Sequence, residues 1–308
     1  MKTILPKRDQ PSLRFGSAGL WQAASDKQNG AMRRTSSCHV SRVTRRTARA
    51  FTIVELLVVI AIIGILAAML LPVLARAKIA AQKKQAAIEI SQIVGAIQQY
   101  DSVYGRFPVS ANDQQLVGTN DFTCGGAGYD VSGNNQLWTM GVTNNAEVIA
   151  ILIDATNYPA GGPTPNMNHV KNPQQTIFLN PKYAGDTNSP GIGPDGVYRD
   201  PWGNPYIITM DLNYDEQCRD SNYCQQAVSQ SPPSPANPYV QTGLNGLYNP
   251  IGTAVTQADK DNFLYHGKVM VWSAGPDRKI DALPPYGTTD WGPGDQGFNK
   301  DNILNWQK

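Results

Sequence analysis

From Leu56 to Ala75 the chain runs LLVVIAIIGILAAMLLPVLA without a charged residue. At the rise of an α-helix this is roughly 30 Å, the thickness of a bilayer's hydrocarbon core. Beyond it the pattern changes. Ala86, Ile90, Ile93, Ile97, Tyr100 and Tyr104 recur at alternating spacings of four and three, while Lys83, Lys84, Glu89, Gln92, Gln98 and Gln99 fall elsewhere. That period places the apolar set on one face of a helix. The two patterns join into one helix from Thr52 to Val103, about 78 Å long, with one half apolar all round and the other half one-sided. Pro72 lies inside it and removes a backbone donor, so a kink or a melted turn is expected there. Gly105-Arg106-Phe107-Pro108 ends the helix.

After Tyr104 the chain is punctuated by Gly, Pro and Asn. Asn144-Asn145-Ala146-Glu147 before Val-Ile-Ala-Ile-Leu-Ile has the form of a helix N-cap with an acid behind it, predicting a short helix from Ala146 to Thr156. Tyr206 to Met210 and Lys268 to Trp272 are rich in β-formers and predict strands, with a weaker candidate from Leu244 to Tyr248. The fold class is therefore α+β, a long N-terminal helix on a small antiparallel sheet with long loops.

Charge divides the chain as sharply as hydropathy does. Of 26 Lys+Arg and 24 Asp+Glu, residues 1–50 hold eleven bases and two acids, leaving a balance of −7 for residues 51–308. Arg42, Arg45, Arg46 and Arg49 flank the apolar run, so the positive-inside rule keeps the N-terminus cytoplasmic and sends the bulk outward across the membrane. Four regions follow: a basic leader at 1–50, a membrane half of the helix at 51–75, an amphipathic half at 76–104 and an outer domain at 105–308. The leader lacks periodicity and is expected to be disordered, and Met32 is an alternative start. The negative outer domain argues against a nucleic-acid groove.

The boundary Arg-Ala-Phe-Thr-Ile-Val-Glu-Leu-Leu-Val-Val-Ile at 49–60 resembles the class III signal of type IV prepilins and pseudopilins. The resemblance implies a cut by prepilin peptidase between Ala50 and Phe51, N-methylation of Phe51, and Glu55 as the fifth mature residue. Where that family usually has Gly before the cut, this chain has Ala50. A carboxylate at the edge of an apolar span needs a partner, and the resemblance supplies one for Glu55, the Phe51 amine of a neighbouring subunit. Asp200-Pro201-Trp202-Gly203-Asn204-Pro205-Tyr206, Tyr104-Gly105-Arg106-Phe107-Pro108 and Trp272-Ser273-Ala274-Gly275-Pro276-Asp277 are similar to signatures of the major pseudopilins of type II secretion systems. These imply a pilin-like fold, with segments 113–140, 157–198 and 211–262 as insertions. By itself, the Pro-bracketed Trp202 reads as a stiff structural turn.

The implied partners are other pilin-like subunits, prepilin peptidase, and an inner-membrane assembly platform with its cytoplasmic ATPase. The implied location is the inner membrane, single-pass. The competing readings are a tethered outer binding module that never polymerises and a minor pilin for adhesion or DNA uptake.

Asp277, Asp281, Asp290, Asp295 and Asp301 crowd the C-terminal stretch with few bases. Calcium takes six to eight oxygen ligands from such loops, and the resembling pseudopilins bind calcium there. Asp277 and Asp301 are the first candidates, then Asp281 and Asp295. Cys218 and Cys224, in CRDSNYC, are placed to close a small disulfide loop in an oxidising compartment, leaving Cys124 odd and Cys38 in the leader. His39, His169 and His266 are isolated, and no P-loop, HExxH, GxSxG or CxxC spacing occurs, so a non-enzymatic role is expected.

Overall fold

The computed structural model describes residues 51–117, 121–125, 144–230, 240–253, 255–280 and 297–306. The leader, Ala50, Cys38, Asp281, Asp290 and Asp295 lie outside these described residues. Two units are distinguished, Met1–Leu57 and Val58–Lys308, and the outer domain belongs wholly to the second.

Helix α1 spans Ile53–Tyr104, 52 residues. It continues through Pro72 without a melted turn, because one lost donor leaves the flanking hydrogen bonds in place. The stripe is buried as its spacing requires: Ala86, Ile90, Ile93, Ala96, Ile97 and Tyr100 are covered. The membrane half is exposed along its length, with Leu57, Ile60, Ile63, Leu66, Leu70 and Leu74 all open.

Three elements follow α1 before the sheet is built: α2 (Ala111–Val117), β1 (Phe122–Cys124) and α3 (Ala146–Leu152). A two-stranded ribbon, β2 (Gly191–Ile192) and β3 (Tyr198–Arg199), leads to β4 (Ile207–Met210). Then come β5 (Gln217–Cys218), α4 (Gln226–Ser229), α5 (Gln257–Lys260), β6 (Tyr265–His266), β7 (Val269–Ser273) and β8 (Ile303–Leu304). The main sheet is antiparallel in the order β1-β4-β7-β8, and β5 pairs with β6 separately.

The central pair β4 and β7 is buried on both faces, and the period-2 alternation of a strand decides what each face meets. Ile208 opposite Val271, and Met210 opposite Val269, join the stripe of α1 and α3 in one core. Ile207 opposite Trp272, with Met270, point the other way into a second core. Tyr223, Val228, Leu247 and Phe263 complete that second core. The described residues between β4 and β6 thus form a second layer covering the far face of the sheet.

Two buried aspartates pin these layers. Asp220 accepts from the backbone N–H of Asn222 and Tyr223, from Thr209 Oγ1 and from Trp272 Nε1, fixing the insertion to β4 and β7. Asp200 accepts from Trp202 N at 2.9 Å, Asn204 N at 2.8 Å, Asn204 Nδ2 at 3.0 Å and Ser273 Oγ. The Asp200–Tyr206 run is therefore a turn closed on its own aspartate and locked to β7. Gly203 sits at φ 88°, and a Cβ there would lie 2.1 Å from the Asn188 carbonyl oxygen, so no other residue fits. Polar ties fasten α1 to this frame: Tyr206 Oη donates to Glu89, Gln82 Nε2 to the Pro201 carbonyl, and Tyr100 Oη to the Lys171 carbonyl.

Three expectations are corrected. Helix α3 has no side-chain cap from Asn145. Its amide instead donates to the Tyr198 and Tyr206 carbonyls and accepts from Tyr198 N, clamping β3 beside β4. The helix also stops at Leu152, with Asp154 at φ 57° turning the chain away. Leu244–Gly246 is a 3₁₀ turn, with Asn245 and Gly246 both at positive φ, which breaks a strand there, and only Tyr248 forms isolated bridges, to Thr242 and Leu264.

Replacing Asp200 with Ala removes the acceptor of four hydrogen bonds, two of them from buried backbone groups, and is expected to destabilise the outer domain by about 3 kcal/mol. Urea denaturation of the full chain in detergent reads this as a fall in midpoint. An unchanged midpoint would show that the turn is held by Trp202 packing alone.

Candidate functional site

The start of α1 is built by a reciprocal pair. Thr52 N donates to Glu55 Oε2 at 2.9 Å, Thr52 Oγ1 donates to the same oxygen at 2.9 Å, and Glu55 N donates to Thr52 Oγ1 at 3.2 Å. This is a capping box, which satisfies backbone donors that a helix start leaves free. Threonine followed three residues later by Glu was visible in the sequence; the carboxylate's position at the edge of the apolar run drew the reading elsewhere. Glu55 is exposed, and Phe51 is 79% exposed. α1 is long and apolar enough to cross a membrane, by length and composition.

A model of the prokaryotic N-terminal methylation motif matches residues 45–71, from the last leader arginines through the apolar run. The N-terminal segment is that of a type IV pilin-like protein. Comparison with curated proteins and with solved structures returned no match. The pilin-like N-terminus and the helix-on-sheet architecture agree with each other, since the apolar half of α1 is left uncovered by the domain that covers its other half.

At the C-terminal end of the chain, Asp277 and Asp301 are neighbours. Burial first, then the charge of Asp277, push the Asp301 carboxyl above its ordinary range, while Lys83 opposes the shift. Asp301 Oδ1 is buried with no hydrogen-bond partner. Asp277 Oδ1 accepts from Lys279 N at 3.0 Å. Gly275, at φ 71°, lets the two loops touch, for a Cβ there would lie 2.4 Å from the Asp301 carbonyl oxygen. Among the described residues no group of three or more His, Cys, Asp or Glu is placed to hold a metal ion. An adjacent carboxylate pair with one orphaned oxygen fits a cation, and Asp281 and Asp295 belong to the neighbouring undescribed stretch.

The cysteine expectation is corrected: Cys124, Cys218 and Cys224 are free and buried. Cys218 packs in the second core with Met270 and Trp272, whereas the Cys224 thiol faces the Ser221 carbonyl oxygen. The Asp220 turn between them holds the two thiols apart in separate environments. Burial pushes the Cys224 thiol up to about 12. The histidines have ordinary structural partners: His169 Nδ1 meets Asp154 Oδ1 at 2.8 Å, and His266 stacks on Tyr248.

Two carboxyl clusters went unseen in the sequence. Burial first, and then the neighbouring Asp113 of α2, push Glu147 of α3 up to about 7. Asp121, just before β1, lies beside Asp211 and Asp215, and burial is the main cause of its rise to about 7. No local spacing connects Asp113 with Glu147, or Asp121 with the Asp211–Asp215 pair.

At pH 6 the folded chain is expected to leave Cys124, Cys218 and Cys224 unmodified by an alkylating reagent until it is denatured. Its thermal midpoint is expected to be the same with and without reductant. A midpoint that falls on reduction would mean that a bridge forms.

Proposed function

We propose that this chain is a structural subunit of a type IV pilus-like filament or pseudopilus, cut by prepilin peptidase before Phe51 and serving type II protein secretion. The observation that carries the reading is the match over residues 45–71 on a helix whose apolar half is bare on every side. Such a half-helix is stable in only two surroundings, lipid before assembly and the equivalent helices of other subunits after it. A unit that repeats head to tail without closing makes a filament. Cleavage converts the Phe51 amide nitrogen into an ammonium group. The Glu55 carboxylate of an adjacent copy then has an ionic partner stronger than its own Thr52, and the pairing sets the stagger between subunits. Before assembly the subunit lies in the inner membrane with its N-terminus cytoplasmic. An assembly platform and its ATPase supply the work of extraction.

In this reading the Asp277–Asp301 pair holds calcium. Asp301 Oδ1 and the Asp277 carboxylate would be ligands, and the ion would tie the loop after β7 to the last 3₁₀ turn (Gly297–Asp301). The resident ion would supply two positive charges where two acids now stand together.

Glu55→Ala is expected to abolish incorporation into sheared filaments while leaving the amount in the inner membrane unchanged, as read by immunoblot of each fraction. Assembly at the wild-type level would favour the tethered binding module instead. Calcium is expected to raise the thermal midpoint of the full chain, by about 2.7 kcal/mol of added stability at a hundredfold excess over its dissociation constant. Asp301→Asn should remove that response. A wild-type midpoint indifferent to calcium would refute the ion site and leave the filament reading untouched.

A further inference from the structure

The apolar run of α1 is bounded by Glu55 at one end and by Arg76 at the other. From Arg76 to Ile88 the helix carries four cations, Arg76, Lys78, Lys83 and Lys84, and no acid. The outer domain meets the helix within this stretch, where Gln82 Nε2 donates to the Pro201 carbonyl and Ala86 opens the buried stripe. Lys83 is half-buried there. Arg76, Lys78 and Lys84 are exposed and join no ion pair among the described residues. The chain that follows has the opposite sign, with eleven bases against twenty-one acids in residues 85–308.

Helix geometry sets where these charges stand. At the rise of an α-helix, Arg76 lies about 1.5 Å beyond Ala75 and Lys84 about 14 Å beyond it. The headgroup layer outside a bilayer core is roughly 5–8 Å deep, and charge is felt about 8 Å further at physiological salt. All four cations therefore fall within reach of phosphate when the run from Leu56 to Ala75 fills the core. The steps from 76 to 78, to 83 and to 84 turn the side chains by about 200°, 140° and 100°, so the cations surround the helix. A protein partner docked on one side is met by a stripe, as the outer domain is by Ala86 to Tyr100. A merely solvated helix surface interleaves both signs at spacings of three and four. Insertion does not account for them either, since the positive-inside rule is served by the leader and puts few bases on the far side.

We propose that Arg76, Lys78, Lys83 and Lys84 form a basic collar that binds the anionic headgroups of the leaflet on the outer domain's side. This rests on the apolar half of α1 lying in a bilayer, and not on its polymerising. The guanidinium and ammonium groups donate to phosphate oxygens, while their apolar stems lie along the helix at the acyl boundary. Sinking would drag the cations into hydrocarbon, and rising would strip them of phosphate and bare the apolar run. The collar thus fixes the depth of the helix, and the acidic domain beyond it is repelled from the same surface. Removing the subunit from the bilayer breaks these contacts, so anionic lipid tightens its hold.

The test is the relative association of spin-labelled phosphatidylglycerol and phosphatidylcholine with the full chain in phosphatidylcholine bilayers, read by electron paramagnetic resonance. Arg76→Gln, Lys78→Gln and Lys84→Gln together are expected to lower the preference for phosphatidylglycerol by about threefold or more. The leader is present in both proteins, so the difference belongs to the collar. Each single substitution is expected to lower the preference in part, which keeps the comparison available if the triple variant misfolds. Arg76→Lys with Lys78→Arg and Lys84→Arg should keep the wild-type preference, and about 1 M salt should abolish the difference between wild type and the Gln variant. An unchanged preference in the Gln variants overturns the proposal while leaving the membrane reading intact. So does a Gln variant that loses self-association in uncharged detergent but keeps its lipid preference, which would make a second copy the collar's partner. A wild-type chain that carbonate strips from the bilayer overturns the membrane reading and the proposal together.

Discussion

Everything in this molecule is arranged around a helix that its own chain covers over only half its length. Each Leu, Ile or Val in the 56–75 run forgoes about 1.5–3 kcal/mol while it faces water, and among the described residues nothing in the outer domain covers it. The domain solves the same problem for the other half by laying α3 and one face of β4 and β7 against the stripe from Ala86 to Tyr100. The membrane half has no such cover and must find it in lipid or in other helices. Membrane residence and assembly are two answers to one unsatisfied apolar surface.

The outer domain is a layered clamp on that helix. The sheet is thin, and its two central strands would be wet on one side if the chain after β4 did not fold back over them. That return is secured by a carboxylate at the interface of layers: Asp220 takes Thr209 and Trp272 from the sheet and backbone donors from Asn222 and Tyr223 of the returning chain. Asp200 does the equivalent work for the turn before β4. Buried carboxylates of this kind are stable because every oxygen has donors. The clusters at Asp121 and Glu147 differ in just this respect, since each leaves an oxygen unsatisfied.

Much of this was legible in the residues. The length of α1, its change from all-apolar to one-sided, and strands β4 and β7 follow from periodicity, because burial there depends on neighbours three, four or two positions away. The Asp200–Tyr206 turn was legible as structure from its two prolines and Trp202. Part of what failed comes from a side chain drawn to a partner that local spacing does not show, and part from backbone turns at positive φ such as Asp154 and Asn245. Asn145 has the cap's position but gives its amide to Tyr198 and Tyr206. Cys218 and Cys224 have a disulfide's spacing, but one thiol faces the second core and the other a carbonyl. Asp113 and Glu147 meet across two helices, and no spacing rule foretells such a pair. The Thr52–Glu55 box is a local signal of the usual form, three residues apart.

The claim that everything else rests on is that the chain becomes mature at Phe51. It is tested most directly by intact-mass and N-terminal peptide analysis of the membrane-extracted protein, from cells with and without prepilin peptidase. The account predicts a chain beginning at Phe51 and carrying one added methyl group, seen only when the peptidase is present. A chain that keeps Ala50 and the residues before it, whether or not the peptidase is present, would contradict it.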